Sequence, residues 1–175
     1  MSTSPRSLTP TQLEAYLALT EVASLLRPAV EAQLRDAGDL SYLQFQLLAR
    51  LGDAADGHLR MTDLADGLVH SRSGLTYQAQ LLEQRGLITR SPSPDDERST
   101  VVALTDAGRA ALATVFPGHI QTVHGLLFAP LIDADAAHLA RILGTVTATP
   151  SRTCRMSGPP SSSRPWATPP WRAPC

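Results

Sequence analysis

Between Thr62 and Leu104 the spacing of apolar residues switches abruptly, at Gly86, from the period of helices to that of strands. Thr62 is placed to cap a short helix, Asp63 to Leu68, with Asp63 near the positive end of its dipole. Val69 and His70 make a tight link, and Ser71 caps a second helix from Arg72 to Arg85 that Gly86 ends. Leu87 to Ser91 and Thr100 to Leu104 then read as strands. They are joined by the polar run Pro92-Ser93-Pro94-Asp95-Asp96-Glu97-Arg98-Ser99. Two close helices followed by a hairpin with a charged tip make a helix-turn-helix with a wing, which few other folds reproduce in that order.

The flanks are helical. From Thr11 to Ala37 an apolar stripe runs through Leu13, Leu17, Leu26, Val30 and Leu34, with Pro28 expected to kink or divide the helix. Gly38 is the stop signal. A helix from Tyr42 to about Leu51 follows, with Ser41 as N-cap and Gln44 completing a capping box, and Gly52 to Gly57 reads as a loop. Thr105 and Asp106 restart a helix toward Phe128, expected to break at Pro117-Gly118. A last helix after Asp133 carries Leu139, Ile142, Leu143 and Val146 on one side.

The fold class expected is therefore mainly α with a small β-hairpin wing. Residues 1–40 form an N-terminal helix, 41–109 a winged helix-turn-helix lobe, and 110–147 C-terminal helices, the terminal segments being the dimerisation helices of the resemblance described below. Residues 148–175 differ in kind, with 7 of the 14 prolines, both Trp, both Cys, four Arg and no acid. This tail reads as a frameshifted product of GC-rich DNA, the alternative being a disordered basic extension. The final helix then ends near Thr147, and in a dimer built from the terminal helices a truncation there would cost interface area.

Composition limits the functional classes. All 15 basic residues are Arg, the net charge is −1, and the residues before the tail hold 11 Arg against 16 acids, so any case for nucleic acid must be local. No apolar run approaches the roughly 18 residues of a membrane span, and Met1 to Thr11 does not resemble a signal peptide, so a cytoplasmic protein without membrane contact is expected. Cys154 and Cys175 suggest neither a disulfide scaffold nor a Cys-rich metal site. His58, His70, His119, His124 and His138 lack ligand spacing, so no metal and no cofactor are expected. There is no phosphate-binding Gly loop and no nucleophile elbow, and an enzyme is not expected.

Four blocks in order carry a family resemblance. They are Ser71-Arg72-Ser73-Gly74-Leu75-Thr76, Leu82-Glu83-Gln84-Arg85-Gly86-Leu87-Ile88, Asp95-Asp96-Glu97-Arg98-Ser99, and Val102-Ala103-Leu104-Thr105-Asp106-Ala107-Gly108-Arg109. Over roughly Leu13 to Thr147 the chain resembles the multiple antibiotic resistance regulator (MarR) family. The resemblance implies a homodimer, built from the terminal helices, that binds double-stranded DNA, usually represses transcription and often responds to a small-molecule effector.

On the helix that starts at Arg72, Ser73, Thr76, Tyr77 and Gln80 share one polar face, while Leu75, Ala79 and Leu82 share the apolar face. Such a helix suits a major groove. Gln78 or Gln80 could pair with adenine, Arg72 could reach guanine or phosphate, and the Thr76 methyl could touch thymine. Ser71 and Ser73 are phosphate-contact candidates. Where the family often has Arg this chain has Tyr77, and Gln80 stands where an acid is common. The family's Asp-x-Arg pattern is matched by Asp96, expected to tie the wing, and Arg98, expected in a minor groove. From Ser71 to Arg90 the charge is Arg72, Arg85 and Arg90 against Glu83, which predicts a modest salt dependence. Family pockets lie between the dimer helices and the DNA lobe, with Tyr42, Phe45, Phe116 and His119 as lining candidates here. The rival is a helical interaction module that has lost DNA binding and pairs with a related regulator.

Overall fold

The computed structural model describes residues 7–66, 72–93 and 96–148, apart from the side chains of residues 66, 72, 96–98 and 148. In order along the chain lie α1 (Pro10–Gly38), α2 (Tyr42–Asp53), β1 (His58–Arg60), α3 (Met61–Asp66), α4 (Arg72–Gln84), β2 (Ile88–Ser93), β3 (Asp96–Leu104), α5 (Asp106–Val123) and α6 (Asp133–Ala148). The result is a mainly helical protein with one small antiparallel sheet, the winged helix-turn-helix arrangement.

Local chemistry explains most boundaries. Thr9 caps α1 through the Gln12 amide, the Gln12 side chain reaches back to the Thr9 amide, and Pro10 takes the first turn, where its missing N–H costs nothing. Ser41 and Gln44 make the same reciprocal box at α2. Thr105 caps α5 through the Gly108 amide, and its hydroxyl donates to the Gly86 carbonyl, tying the helix to the end of α4. Gly86 itself has φ of 71°, a left-handed position that glycine fills at no steric cost.

Neither proline divides its helix. α1 continues through Pro28 and α5 through Pro117, and both prolines are exposed. The carbonyls that lose their donors, on Ser24 and Ala113, belong to exposed residues and are left to water. α5 changes instead at His124–Phe128, which forms a π-helical turn. α2 runs to Asp53, two residues past the expected end.

The segment before the helix-turn-helix holds an unexpected strand. β1 pairs with β3 through His58↔Ala103, Leu59↔Val102 and Arg60↔Val101, giving the sheet order β1-β3-β2. It hands directly to α3, which begins at Met61 rather than after a Thr62 cap. Three residues are too few to show a period, and only pairing with β3 defines this strand. The hairpin is longer than its apolar ends suggested. Pairing continues from Ile88↔Leu104 to Ser93↔Asp96 across a register shift at Pro92/Ser93.

One core holds these elements together. Leu75, Ala79 and Leu82 of α4 meet Leu47, Leu48 and Leu51 of α2, Leu64 of α3, and Ile88, Val102 and Leu104 of the sheet. Val30 and Leu34 of α1 and Leu112 and Val115 of α5 belong to it too, so the lobe is seated on the long helices. Gly108 lies against the Leu87 carbonyl with no room for a Cβ, which brings the start of α5 onto the wing's root.

Candidate nucleic-acid interface

α4 presents two opposed faces. Leu75, Ala79 and Leu82 are buried, whereas Ser73, Thr76, Tyr77 and Gln80 are exposed, with Tyr77 58% accessible despite its ring. A solvent-facing tyrosine amid small polar groups offers an aromatic ring with a polar tip, which suits contact with bases and sugars. Gln78 stands apart from this face. It is half-buried, and its Oε1 is enclosed without a hydrogen-bond partner. Its position beside Leu75 and Leu82, at i−3 and i+4, puts it on the inner flank of the helix.

Ser71 lies outside the described residues, and the side chains of Arg72, Asp96 and Arg98 are likewise outside them. By backbone, Arg72 opens α4 and Asp96 opens β3 at the hairpin tip, with Arg98 two residues along the same strand.

Two arginines counted in the local charge are engaged inside the lobe. Arg90 on β2 holds Glu83 of α4 with Nη2 2.6 Å and Nε 2.8 Å from Oε2, and its backbone amide donates to Oε1 at 3.2 Å. This charge-assisted clamp fixes the wing to α4 and neutralises the acid on that helix. Arg85 donates to the backbone carbonyls of Asp39 and Gly38 at 2.6 and 3.1 Å. The clamp spans the Gly86 turn, where no helical or strand period relates positions seven apart, and Arg85 reaches back 46 residues. Neither role leaves a signal in the sequence.

The four candidate pocket residues divide into two places. Phe45, Phe116 and His119 form one cluster where α2 meets α5, with the His119 ring 4.5 Å from Phe45 and 6.2 Å from Phe116 between centroids. Tyr42 lies apart, under the Arg27 guanidinium at 5.5 Å, and faces a cleft of about 570 Å³. That cleft lies between the end of α1, the start of α2 and the end of α4. Glu31, Arg35, Leu81 and Arg85 line it, and Phe45, Phe116 and His119 do not.

Burial holds the His119 imidazole below its ordinary value of 6.5, and its Nδ1 is enclosed without a partner. A depressed histidine lets the unfolded chain bind the proton first. Its contribution to stability is therefore complete above about pH 6.5 and is lost as pH falls through that value toward the folded one. Thermal unfolding followed from pH 8 downward should show the midpoint falling below about 6.5, and His119→Phe should flatten that part of the curve. An unchanged slope in the variant would assign the fall to other groups.

No cluster of three or more His, Cys, Asp or Glu side chains suited to a metal ion occurs among the described residues.

Comparison with known proteins agrees with this geometry. Residues 38–99, from the end of α1 through the wing tip, match the model of the MarR family. The chain is 28% identical over 115 residues to the HTH-type transcriptional repressor YetL of Bacillus subtilis, covering 66% of this chain and 68% of that one. It is 32% identical over 108 residues to the HTH-type transcriptional regulator PecS of Dickeya dadantii, covering 61% and 64%. The structure superposes on a MarR family transcriptional regulator from Streptomyces coelicolor, solved in complex with DNA, with a TM-score of 0.78. The two are 29% identical, and the match covers 83% of this chain and 91% of that one. These relatives are regulators rather than enzymes. Over these residues the chain is similar to the MarR family of transcriptional regulators.

Proposed function

We propose that this protein is a sequence-specific DNA-binding regulator, a ligand-responsive repressor that acts as a homodimer on a pseudo-palindromic operator. The observation that carries the reading is α4. Its Ser73, Thr76, Tyr77 and Gln80 face solvent directly opposite the buried Leu75, Ala79 and Leu82, and the β2–β3 ribbon follows within four residues. In this reading α4 enters a major groove, Ser71 and Arg72 contact phosphates or a base at its start, and Asp96 and Arg98 serve the wing in the adjacent minor groove. Gln80 reads a base edge directly, whereas Gln78 supports the helix from its inner flank.

The dimer is supported by apolar surface that a single chain leaves uncovered. The first half of α1 is exposed throughout, yet it carries Leu13, Tyr16, Leu17, Leu19, Val22 and Leu25, the last 61% accessible. Ile142, Leu143 and Val146 of α6 are also exposed, Val146 at 67%. Contiguous apolar patches on this scale belong at interfaces. Leu17→Arg should convert the dimer to monomer in light scattering, and it should cost operator affinity while leaving helix content unchanged. A dimer that persists in Leu17→Arg would move the interface elsewhere.

The cleft bounded by Tyr42, Arg35 and Arg85, or the aromatic cluster of Phe45, Phe116 and His119, would receive the effector. No described helix is long and apolar enough to cross a membrane, and a regulator of this kind works in the cytoplasm. Selection of duplexes from a random pool tests the reading. Recovery of an inverted repeat with half-sites about one turn, ~34 Å, apart or a small multiple of it is expected. Recovery of unrelated sequences would overturn it.

A further inference from the structure

Arg85 occupies an unusual place. It directly follows the last residue of α4, and its guanidinium spans the last carbonyls of α1, Gly38 and Asp39. The C-terminus of α1, the negative end of its dipole, is thus met by a cation from the residue that follows α4. The planar fork of arginine donates to the two carbonyls from two nitrogens held at a fixed spacing, whereas an ammonium would donate from a single point. The Asp39 carboxylate, 89% exposed and 4.0 Å away, adds little.

The carbonyls it holds belong to a constrained turn. Asp39 has φ of 49° and ψ of 44°, and it is the one non-glycine at positive φ among the described residues. A left-handed aspartate carries a conformational cost and persists where its surroundings hold it. Its amide is bonded to the Arg35 carbonyl, and its own carbonyl takes the shorter Arg85 bond. The rest of α1 packs on α5 and α2, while α4 packs on α2, α3 and β2. Between α1 and α4 lies the 570 Å³ cleft, and Arg85 crosses it.

We infer that Arg85 is a positioning residue that pins the end of the recognition helix to the end of the dimerisation helix. It thereby sets the separation of the two recognition helices across the dimer. The inference rests on the dimeric DNA-binding reading for its consequence, but the pin itself exists within one chain. An occupant of the cleft would act on DNA binding through this contact, because Arg85 both lines the cleft and bridges it.

The test reads geometry first. Spin labels are placed at Glu21→Cys on α1 and Gln80→Cys on α4, with Cys154 and Cys175 changed to Ser, and the labelled protein is diluted into unlabelled protein so that only the intrachain distance is seen. A narrow distribution is expected for Arg85, a broadened or shifted one for Arg85→Gln, and an intermediate one for Arg85→Lys. Asp39→Asn, which keeps both carbonyls, should remain narrow. An unchanged distribution in Arg85→Gln, with helix content preserved, overturns the pin. The second reading uses selected duplexes whose half-sites are moved apart or together by one base pair. Arg85→Gln should lose the wild-type preference for one spacing, whereas a uniform loss at every spacing would reduce Arg85 to a stabilising contact and overturn the inference. If the wild-type protein binds none of these duplexes, the DNA-binding reading fails while the distance measurement still decides the pin.

Discussion

Leu82→Ala is expected to lower the unfolding free energy by about 2–5 kcal/mol, the range for truncating a fully buried leucine. Leu82 has no accessible surface and packs within the cluster that includes Leu75, Ala79, Leu87 and Ile88. Its backbone carbonyl also receives the Leu87 amide at 3.0 Å, at the turn where α4 hands over to the wing. The void left by the missing isopropyl group would sit under both α4 and the root of the hairpin, where the Glu83–Arg90 clamp and the Thr105 to Gly86 bond limit collapse. Urea unfolding followed by circular dichroism measures the loss. A change below about 0.5 kcal/mol, the scale of surface substitutions, would mean that α4 does not bury this face.

The opposite face should behave in the opposite way. Gln80→Ala is expected to weaken operator binding by about 1–3 kcal/mol, roughly 5- to 150-fold, because a glutamine that pairs with an adenine edge loses a bidentate contact. Stability should stay within about 0.5 kcal/mol, since the side chain is exposed and the substitution favours the helix. Discrimination should relax at one base pair per half-site and remain elsewhere. Gln78→Ala makes the contrast within the same helix. Its half-buried side chain predicts an effect on stability first and on affinity only through it. Competition binding with singly substituted operators separates the two. Equal losses for every substituted site would place Gln80 on the backbone instead.

The contrast between these neighbouring glutamines shows where sequence reasoning stops. Both are polar, and helical spacing put Ser73, Thr76, Tyr77 and Gln80 on one face, but 100° steps leave Gln78 on a boundary that only packing resolves. Local chemistry was legible wherever it is self-contained. The Ser41–Gln44 box, the Thr105 cap and the change of period at Gly86 all lie within a few residues of their partners. What depended on distant partners was not. β1 is a strand because Val101, Val102 and Ala103 lie beside it. Pro28 and Pro117 do not divide their helices, and the carbonyls that lose a donor there belong to exposed residues. The charge count over residues 71–90, three Arg against Glu83, suggested a modest number of phosphate contacts, yet Arg90 is spent on Glu83 and Arg85 on the end of α1. On the proposed reading Arg72 of this stretch and Arg98 of the wing are the arginines expected to meet DNA, so the expected salt dependence is weaker still than the count implied.

The most direct test of the central claim is fluorescence anisotropy of the purified protein against duplex DNA from upstream of its own gene, at two salt concentrations and with Arg98→Ala in parallel. The account predicts sub-micromolar binding (Kd below about 10⁻⁶ M) that exceeds binding to a scrambled duplex, weakens modestly with salt and falls in Arg98→Ala. Binding of the upstream and scrambled duplexes that is equal, with Arg98→Ala indistinguishable from wild type, would contradict it.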